Sequence, residues 1–486
     1  MENGPIDLKA RARRAMVEAG FQPDFPAAVL EEAKRLGGGA AQNLDGRVRD
    51  MRSLLWSSID NDTSRDLDQI EYVEKLADGT LGLLVGIADV DADVAKGTAT
   101  DGRAAAESTS VYTGVVTFPM LPEELSTDLT SLLDAKERLA LIIELHVKDS
   151  GEVGCHDAYS GWVRNAAKLA YSSTGAWLEG RGPMPPAAAA VSGMEEQLRL
   201  QMATSEKLRG IRRKQGALTF GSVEATPVVE NGEVKDLTVR RHNVAEDIIE
   251  SFMVAANVAM AEYLREKGSL SIRRVVRTPK RWDRIQQIAA QVGVKLPAEP
   301  DARALSEFLE QRRQADAVHF PDLSLSVVKL LGPGEYIVEP PGSEQTGHFG
   351  LAANDYTHST APNRRYADLV TQRLLKAVIS GKATSYSEAE LSEIAAHCTE
   401  REDAARKVER LMRKVIAASL LRKRIGEIFD GIVTGASAQG TYVRLLKFPA
   451  EGRVVRGEKG IDVGDKVQVR LAFVDVEKGF IDFERK

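Results

Sequence analysis

Cysteine is nearly absent: two in 486 residues, Cys155 and Cys398, far apart and in no metal-ligand spacing. That excludes a disulfide framework and a cysteine-built zinc site, and it fits a reduced, cytoplasmic compartment. No apolar run approaches the ~18 residues of a membrane helix, so no membrane span is expected. The first residues, Met1-Glu2-Asn3-Gly4-Pro5-Ile6-Asp7, have no basic stretch followed by an apolar one and do not read as a secretory signal. A surplus of positive charge is also missing, the net charge being −6. This excludes a protein that coats nucleic acid through overall charge but leaves room for a local basic channel. With 43% hydrophobic, 28% charged and only 6% aromatic residues the chain is a soluble globular protein, and its length implies two to four domains.

What is present changes texture along the chain. Residues 7–36 read as two short helices, the first capped by Asp7 and ended by Gly20, the second opened by Pro26. The pair is either a helix-turn-helix module or a simple helical bundle. Gly37-Gly38-Gly39 then breaks the chain. From residue 54 to about 160 strands and loops prevail, with Leu81–Ala88 and Leu139–Val147 as buried strands. Helix dominates from about 195 to 265 and from 363 to 424; Ser387 with Glu390 makes a capping box there. After Gly426, five short alternating segments separated by turn signals (Ile428–Val433, Thr441–Leu446, Gly452–Val455, Lys466–Phe473, Gly479–Phe483) predict a small closed barrel of the OB type. The expected architecture is α+β and multidomain: a helical module over 1–45, a large mixed α/β unit over 46–425, and an all-β barrel over 426–486.

The sharpest constellation is Asp60-Asn61-Asp62-Thr63-Ser64-Arg65-Asp66-Leu67-Asp68-Gln69. Four aspartates on one turn repel one another unless a cation compensates. Mg²⁺ takes such oxygen ligands and, in two-metal sites, helps water attack a phosphate. A solvated acidic loop or a structural calcium site fits the spacing as well. Downstream, Asn363 is placed to cap a helix through Tyr366, Leu369, Val370 and Leu374, with Arg364 and Arg365 in its first turn. Cations there oppose the helix dipole, which points to an anion as their partner. The run Arg273-Arg274-Val275-Val276-Arg277-Thr278-Pro279-Lys280-Arg281 is basic enough to guide phosphates.

The motifs that follow the aspartates come in a telling order. They are Gly86-Ile87-Ala88-Asp89-Val90, Gly97-Thr98, Asp101, Ser108-Thr109-Ser110-Val111-Tyr112 and Phe118-Pro119-Met120-Leu121-Pro122. Ala167-Lys168-Leu169-Ala170-Tyr171, Gly216-Ala217-Leu218-Thr219-Phe220, Ile248-Ile249-Glu250 and Tyr356-Thr357-His358-Ser359-Thr360-Ala361-Pro362-Asn363-Arg364-Arg365-Tyr366 complete the series. This succession resembles the ribonuclease II / ribonuclease R family, whose catalytic unit is the RNB domain. The resemblance implies a 3′→5′ exoribonuclease that degrades single-stranded RNA to nucleoside 5′-monophosphates with Mg²⁺, Mn²⁺ substituting, and acts as a monomer. Carried over position by position, it makes Asp60, Asp66, Asp68 and Arg364 catalytic and gives the metal to Asp60, Asp66, Asp68 and Gln69. RNA falls to Tyr112, Tyr171, Phe220, Glu250 and Arg365. Gln69 departs from the family, which has an acidic residue there. Either the metal is held more weakly, or Asp62 leans in, or the chain is an impaired relative that only binds RNA. In place of the family's two N-terminal cold-shock barrels stand about 45 helical residues.

Overall fold

Between residues 49 and 170 the apolar runs condense into one seven-stranded sheet, in the order Arg49–Asp50, Val153–Arg164, Glu137–Val147, Leu81–Ala88, Gln69–Lys75, Ser57–Asp60, Ala167–Ala170. The computed structural model describes residues 6–36 and 48–486, apart from 222–223, 231–232, 241, 317–318, 438–439 and 449. The Gly37–Gly39 break and the 45/46 boundary lie outside the described residues. The inner strands are antiparallel, while the short outer strands pair in parallel. Every residue of Leu81–Ala88 is buried, so this central strand reads as a continuous apolar run rather than an alternating one. Helices Met194–Gln215, Val244–Glu266 and Tyr366–Ile379 share the main core with the sheet through Leu198, Ile248, Phe252 and Leu369.

Helix does not run unbroken from 195 to 265. An antiparallel ribbon, Glu224–Glu230 with Glu233–Arg240, separates the two helices. The signal for it is in the sequence: β-branched Thr226, Val228, Val229, Val234 and Val239 flank Asn231-Gly232, a hairpin dipeptide. A further helix, Ala99–Glu107, lies within the region read as strands and loops; Thr98 caps it, accepting from the Asp101 N–H at 3.2 Å.

Three arginines of the Arg273–Arg281 run are already paired with carboxylates. Arg273 and Arg274 lie on a buried strand, Ser271–Val275, and pair with Glu339 and Glu402 at 3.0 and 2.8 Å. Arg277 pairs with Glu335 at 2.5 Å. Three further helices between Trp282 and Leu331 form a satellite core around Ile285, Phe308 and Val327.

The five terminal strands close into a barrel ordered Ile428–Ser437, Gly440–Leu445, Glu451–Arg456, Phe480–Arg485, Lys466–Asp475. Closure brings Glu451–Arg456 and Phe480–Arg485 together so tightly that a Cβ on Gly452 would lie 2.5 Å from the Ile481 carbonyl oxygen, which only glycine permits. The barrel shares a core with the 34-residue helix Glu388–Leu421 and with Leu8, Ala12 and Met16 of the first helix. Arg401 of the long helix sits 3.7 Å over the Phe21 ring, and Arg11 donates to the Glu477 carbonyl in the barrel at 2.9 Å. The second helix instead buries Ala33 in the main core. Anchored separately, the two N-terminal helices do not form a self-supporting helix-turn-helix. No helix among the described residues is long and apolar enough to cross a membrane.

Candidate active site

The aspartates sit at the open end of one strand pair. Ser57 is registered opposite Glu71, and continuing that register places Asp60 across from Asp68, on one face. The turn between them is tied down by polar contacts. The Leu67 N–H donates to Ser131 Oγ at 2.9 Å, Ser131 Oγ donates to the Arg65 carbonyl at 2.7 Å, and the Lys168 ammonium caps the Ser64 carbonyl.

Asp68 is buried and accepts from the Asn363 N–H at 2.9 Å and from Arg364 Nε at 3.2 Å. Burial pushes its carboxyl up to about 7, against the pull of Arg364 and the Asn363 N–H. Burial raises Asp60 as well, opposed by hydrogen bonds from the Asn61 N–H at 2.6 Å and Ser64 Oγ at 3.0 Å. Asp66 accepts from the Tyr112 hydroxyl at 3.2 Å, and its charge bears on both Asp60 and Asp68. Gln69 is buried at the start of the next strand. Two residues on, Glu71 is fully buried with no hydrogen bond to either carboxylate oxygen, and burial followed by the Asp60 charge drives its pKa well up. A hard divalent cation fits Asp60, Asp66 and Asp68: their donors are oxygens only, and three carboxylates stand against the single guanidinium of Arg364.

Arg364 comes from a segment held on two sides. The Ser110 N–H and Thr109 Oγ1 donate to the Arg364 carbonyl at 3.0 and 3.2 Å, and the Tyr366 N–H donates to the Ser108 carbonyl at 2.8 Å. Behind it, Arg373 and Lys376 of the following helix bind Asp91, Asp101 and Asp89 at 2.8–2.9 Å. The recurring Asp89 and Asp101 motifs are therefore tethers that fix the arginine segment to the sheet. Beyond Asp68, the Arg364 guanidinium makes no hydrogen bond among the described residues, and its side chain is 42% exposed. A cleft of about 210 Å³ opens beside it, lined by Tyr112, Tyr336, Glu402 and Glu409 among others.

Several expected residues stand elsewhere. Asp62 does not lean in; it accepts from Ser172 Oγ at 3.1 Å. Arg365 is not presented to an anion from outside. Both its Nε and Nη2 donate to Asp368 at 2.8 Å, which neutralises it internally. Asn363 is not the helix cap: the helix begins at Tyr366, and the Asn363 side-chain Oδ1 accepts from Thr130 Oγ1 at 2.5 Å. Phe220 packs against the satellite core. Glu250 is exposed on the Val244–Glu266 helix, in a cluster with His242 and Asp247. Tyr171 opens a helix directly after the outer strand and feels the charges of Asp60 and Glu71. His358 is buried against the Tyr336 hydroxyl at 2.7 Å; burial and Arg365 push its pKa well below the usual value, so it stays neutral.

Sequence reasoning missed the backbone N–H of Asn363 as a partner of Asp68. A backbone donor leaves no signal in residue type.

The model of the RNB domain matches residues 48–381, and that of the RNase II-type exonuclease C-terminal S1 domain matches residues 427–486. Ribonuclease R of Aquifex aeolicus (strain VF5) is 30% identical over 491 residues, spanning 95% of this chain and 68% of that protein. Among solved structures, Mycoplasma genitalium RNase R in complex with ribose methylated single-stranded RNA superimposes with a TM-score of 0.89 at 22% identity, covering 99% of this chain and 78% of that one. Yeast Ssd1, described as a pseudonuclease, has a TM-score of 0.70 at 17% identity, covering 95% and 57%. A nuclease and a pseudonuclease thus share the fold, and the site alone can tell them apart.

Proposed function

Because the chain belongs to the RNB family of ribonuclease II-type exonucleases, we propose that it hydrolyses single-stranded RNA from the 3′ end and releases nucleoside 5′-monophosphates. The observation that carries this reading is the convergence of Asp60, Asp66 and Asp68 on Arg364, with Asp68 bonded to the arginine's Nε. Asp60, Asp66 and Asp68, with the Gln69 carbonyl oxygen, would hold Mg²⁺ or Mn²⁺, which when bound acidifies water and neutralises charge on a phosphate. The uncommitted Nη groups of Arg364 bind the phosphate oxygens and stabilise the charge that develops as the ester breaks. Asp68 holds the guanidinium in place, and the Asn363 N–H holds Asp68.

The Tyr112 ring is 42% exposed at the mouth of the cleft and offers a stacking surface that accepts any base. Tyr171 stands beside Asp60, and Glu250, one turn beyond Glu246, accepts from a ribose hydroxyl in this reading, favouring RNA over DNA. A cytoplasmic location and a monomeric state belong to the same reading. A rival, an RNA-binding relative without catalysis, is favoured by Gln69 and by the shared fold of a pseudonuclease. The retained aspartates and Arg364 oppose it.

Hydrolysis of a 5′-labelled single-stranded RNA with Mg²⁺ decides between them. A ladder shortening from the 3′ end is expected, at least about a hundredfold slower in Asp68→Asn and absent on DNA of the same sequence. RNA binding without shortening at any Mg²⁺ or Mn²⁺ concentration would hand the reading to the rival.

A further inference from the structure

A cavity of about 390 Å³ lies between the helices Met194–Gln215 and Val244–Glu266, the hairpin turn at Gly151 and the loop over 345–355. None of Asp60, Asp66, Asp68 and Arg364 lines it. Its walls are aliphatic, made by Leu208, Ile211, Val254, Val258 and Leu351. An apolar cleft of about 300–1,000 Å³ carrying a few polar groups is the usual form of a small-molecule site.

The polar groups in this wall lack partners. Arg212 makes no hydrogen bond or ion pair among the described residues, and its Nε is buried. It stands toward the end of the cavity nearest Glu250, whose charge bears on it. Glu262, half-buried and about three turns beyond Ser251 on the same helix, has no partner among the described residues either. Burial, then the charge of Asp355, raises its pKa. Asp355 is 5% exposed and commits Oδ2 to Gln345 at 3.0 Å and Arg265 at 3.3 Å. Its Oδ1 takes no hydrogen bond and has only the Arg273 guanidinium at 3.5 Å. Sheltered charges left like this are costly unless a ligand meets them.

The complement of such a cavity has an anion for Arg212, a flat apolar body for the walls, and N–H donors for the carboxylates. A fatty acid brings no donors, and a polyamine meets Arg212 with like charge. A nucleoside 5′-phosphate brings all three. Among the bases, guanine presents two adjacent N–H donors, at N1 and N2, which match the two oxygens of one carboxylate. Uracil offers its single N–H between two carbonyl oxygens, which a carboxylate repels.

We propose that this cavity is a binding site for a guanosine 5′-phosphate, with the phosphate on Arg212 and the base edge on Glu262, beside Asp355. The site goes beyond the exonuclease reading and stands even if the chain cleaves nothing. If it does cleave RNA, the ligand is of the class that it releases.

Isothermal titration calorimetry of the full chain in EDTA, without RNA, tests it with guanosine and uridine 5′-monophosphates as probes. The guanosine nucleotide is expected to bind more tightly. Arg212→Met, which removes a charge that has no partner to lose, should weaken both nucleotides by about tenfold or more, the worth of a charge-assisted hydrogen bond. Glu262→Gln should narrow the preference for guanine to within about threefold. Arg364→Met distinguishes this site from the catalytic cleft, and binding in the cavity survives it. Binding that disappears in Arg364→Met but persists in Arg212→Met overturns the proposal. So does the absence of binding at millimolar guanosine 5′-monophosphate, or a guanine preference that Glu262→Gln leaves unmoved. No cleavage enters the readout, so this proposal and the exonuclease reading fail independently.

Discussion

Asp68 concentrates the electrostatic tension of the site. Its carboxyl, raised by burial to about 7, keeps a proton in the metal-free fold that the unfolded chain has released by about pH 4. The folded state therefore binds more protons between those values, and stability falls as pH rises through that window, levelling above it. Asp60 acts in the same sense. Thermal melts in EDTA should show a lower midpoint at pH 8 than at pH 5.5, with the difference reduced in Asp68→Asn. Added Mg²⁺ should raise the midpoint more at pH 8 than at pH 5.5. Tyr112 poses a separate question, because its ring and its hydroxyl have different partners. Tyr112→Ala should weaken single-stranded RNA binding by about 1–3 kcal/mol, the worth of one stacked base, whereas Tyr112→Phe should lose only the hydrogen bond to Asp66 and bind nearly as the parent does in a fluorescence titration. At this scale the acidic cluster of Asp60, Asp66 and Asp68 stood out in the sequence, but its spacing fitted a solvated loop as well, and only the resemblance of the surrounding motifs gave it and Arg364 a role. The commitment of Arg365 to Asp368 and the turn of Asp62 toward Ser172 were not legible, since both depend on partners that only the folded chain brings within reach.

At the scale of elements, the helix behind Arg364 shows how a cap can be misread. Asn363, three residues before Tyr366, has the right chemistry for a helix start, yet the helix opens after Arg365 without a side-chain cap, and Asp368 of its first turn braces the preceding segment instead. Asp368 is buried and accepts from the Ala361 N–H at 2.8 Å and, bidentately, from Nε and Nη2 along one edge of the Arg365 guanidinium. A carboxylate there also suits the positive end of the helix dipole. Asp368→Asn preserves shape but leaves Arg365 uncompensated, and by analogy with broken buried pairs should cost about 3–5 kcal/mol in urea unfolding. Strand periodicity made the barrel and the central sheet strands readable, because alternation or continuous burial is set by the strand's own two-residue repeat. The Glu224–Arg240 ribbon escaped because strong helical patterns on both sides masked a short segment whose only clear mark was its turn dipeptide.

For the molecule as a whole, the described residues pack into three cores rather than one: sheet with helices, long helix with barrel, and the satellite of helices between Trp282 and Leu331. The first helix belongs to the second of these. Met16 is 2% exposed there, and Met16→Ala should cost about 2–5 kcal/mol. The effect should appear in a thermal melt as earlier unfolding of the long helix and barrel, with the central sheet retained. No sequence pattern announced that docking. Amphipathicity says that a helix has an apolar face, not which distant surface will receive it.

That docking also sets a schedule. Arg11 and its acceptor Glu477 are separated by 466 residues, so the first helix is made long before the barrel turn it grips. At synthesis rates of about 5–20 residues per second, the interval is between about 20 and 90 s. Throughout it Leu8, Ala12 and Met16 have no barrel to cover them. The nascent chain carries that apolar face uncovered until the long helix Glu388–Leu421 and then the barrel strands are made.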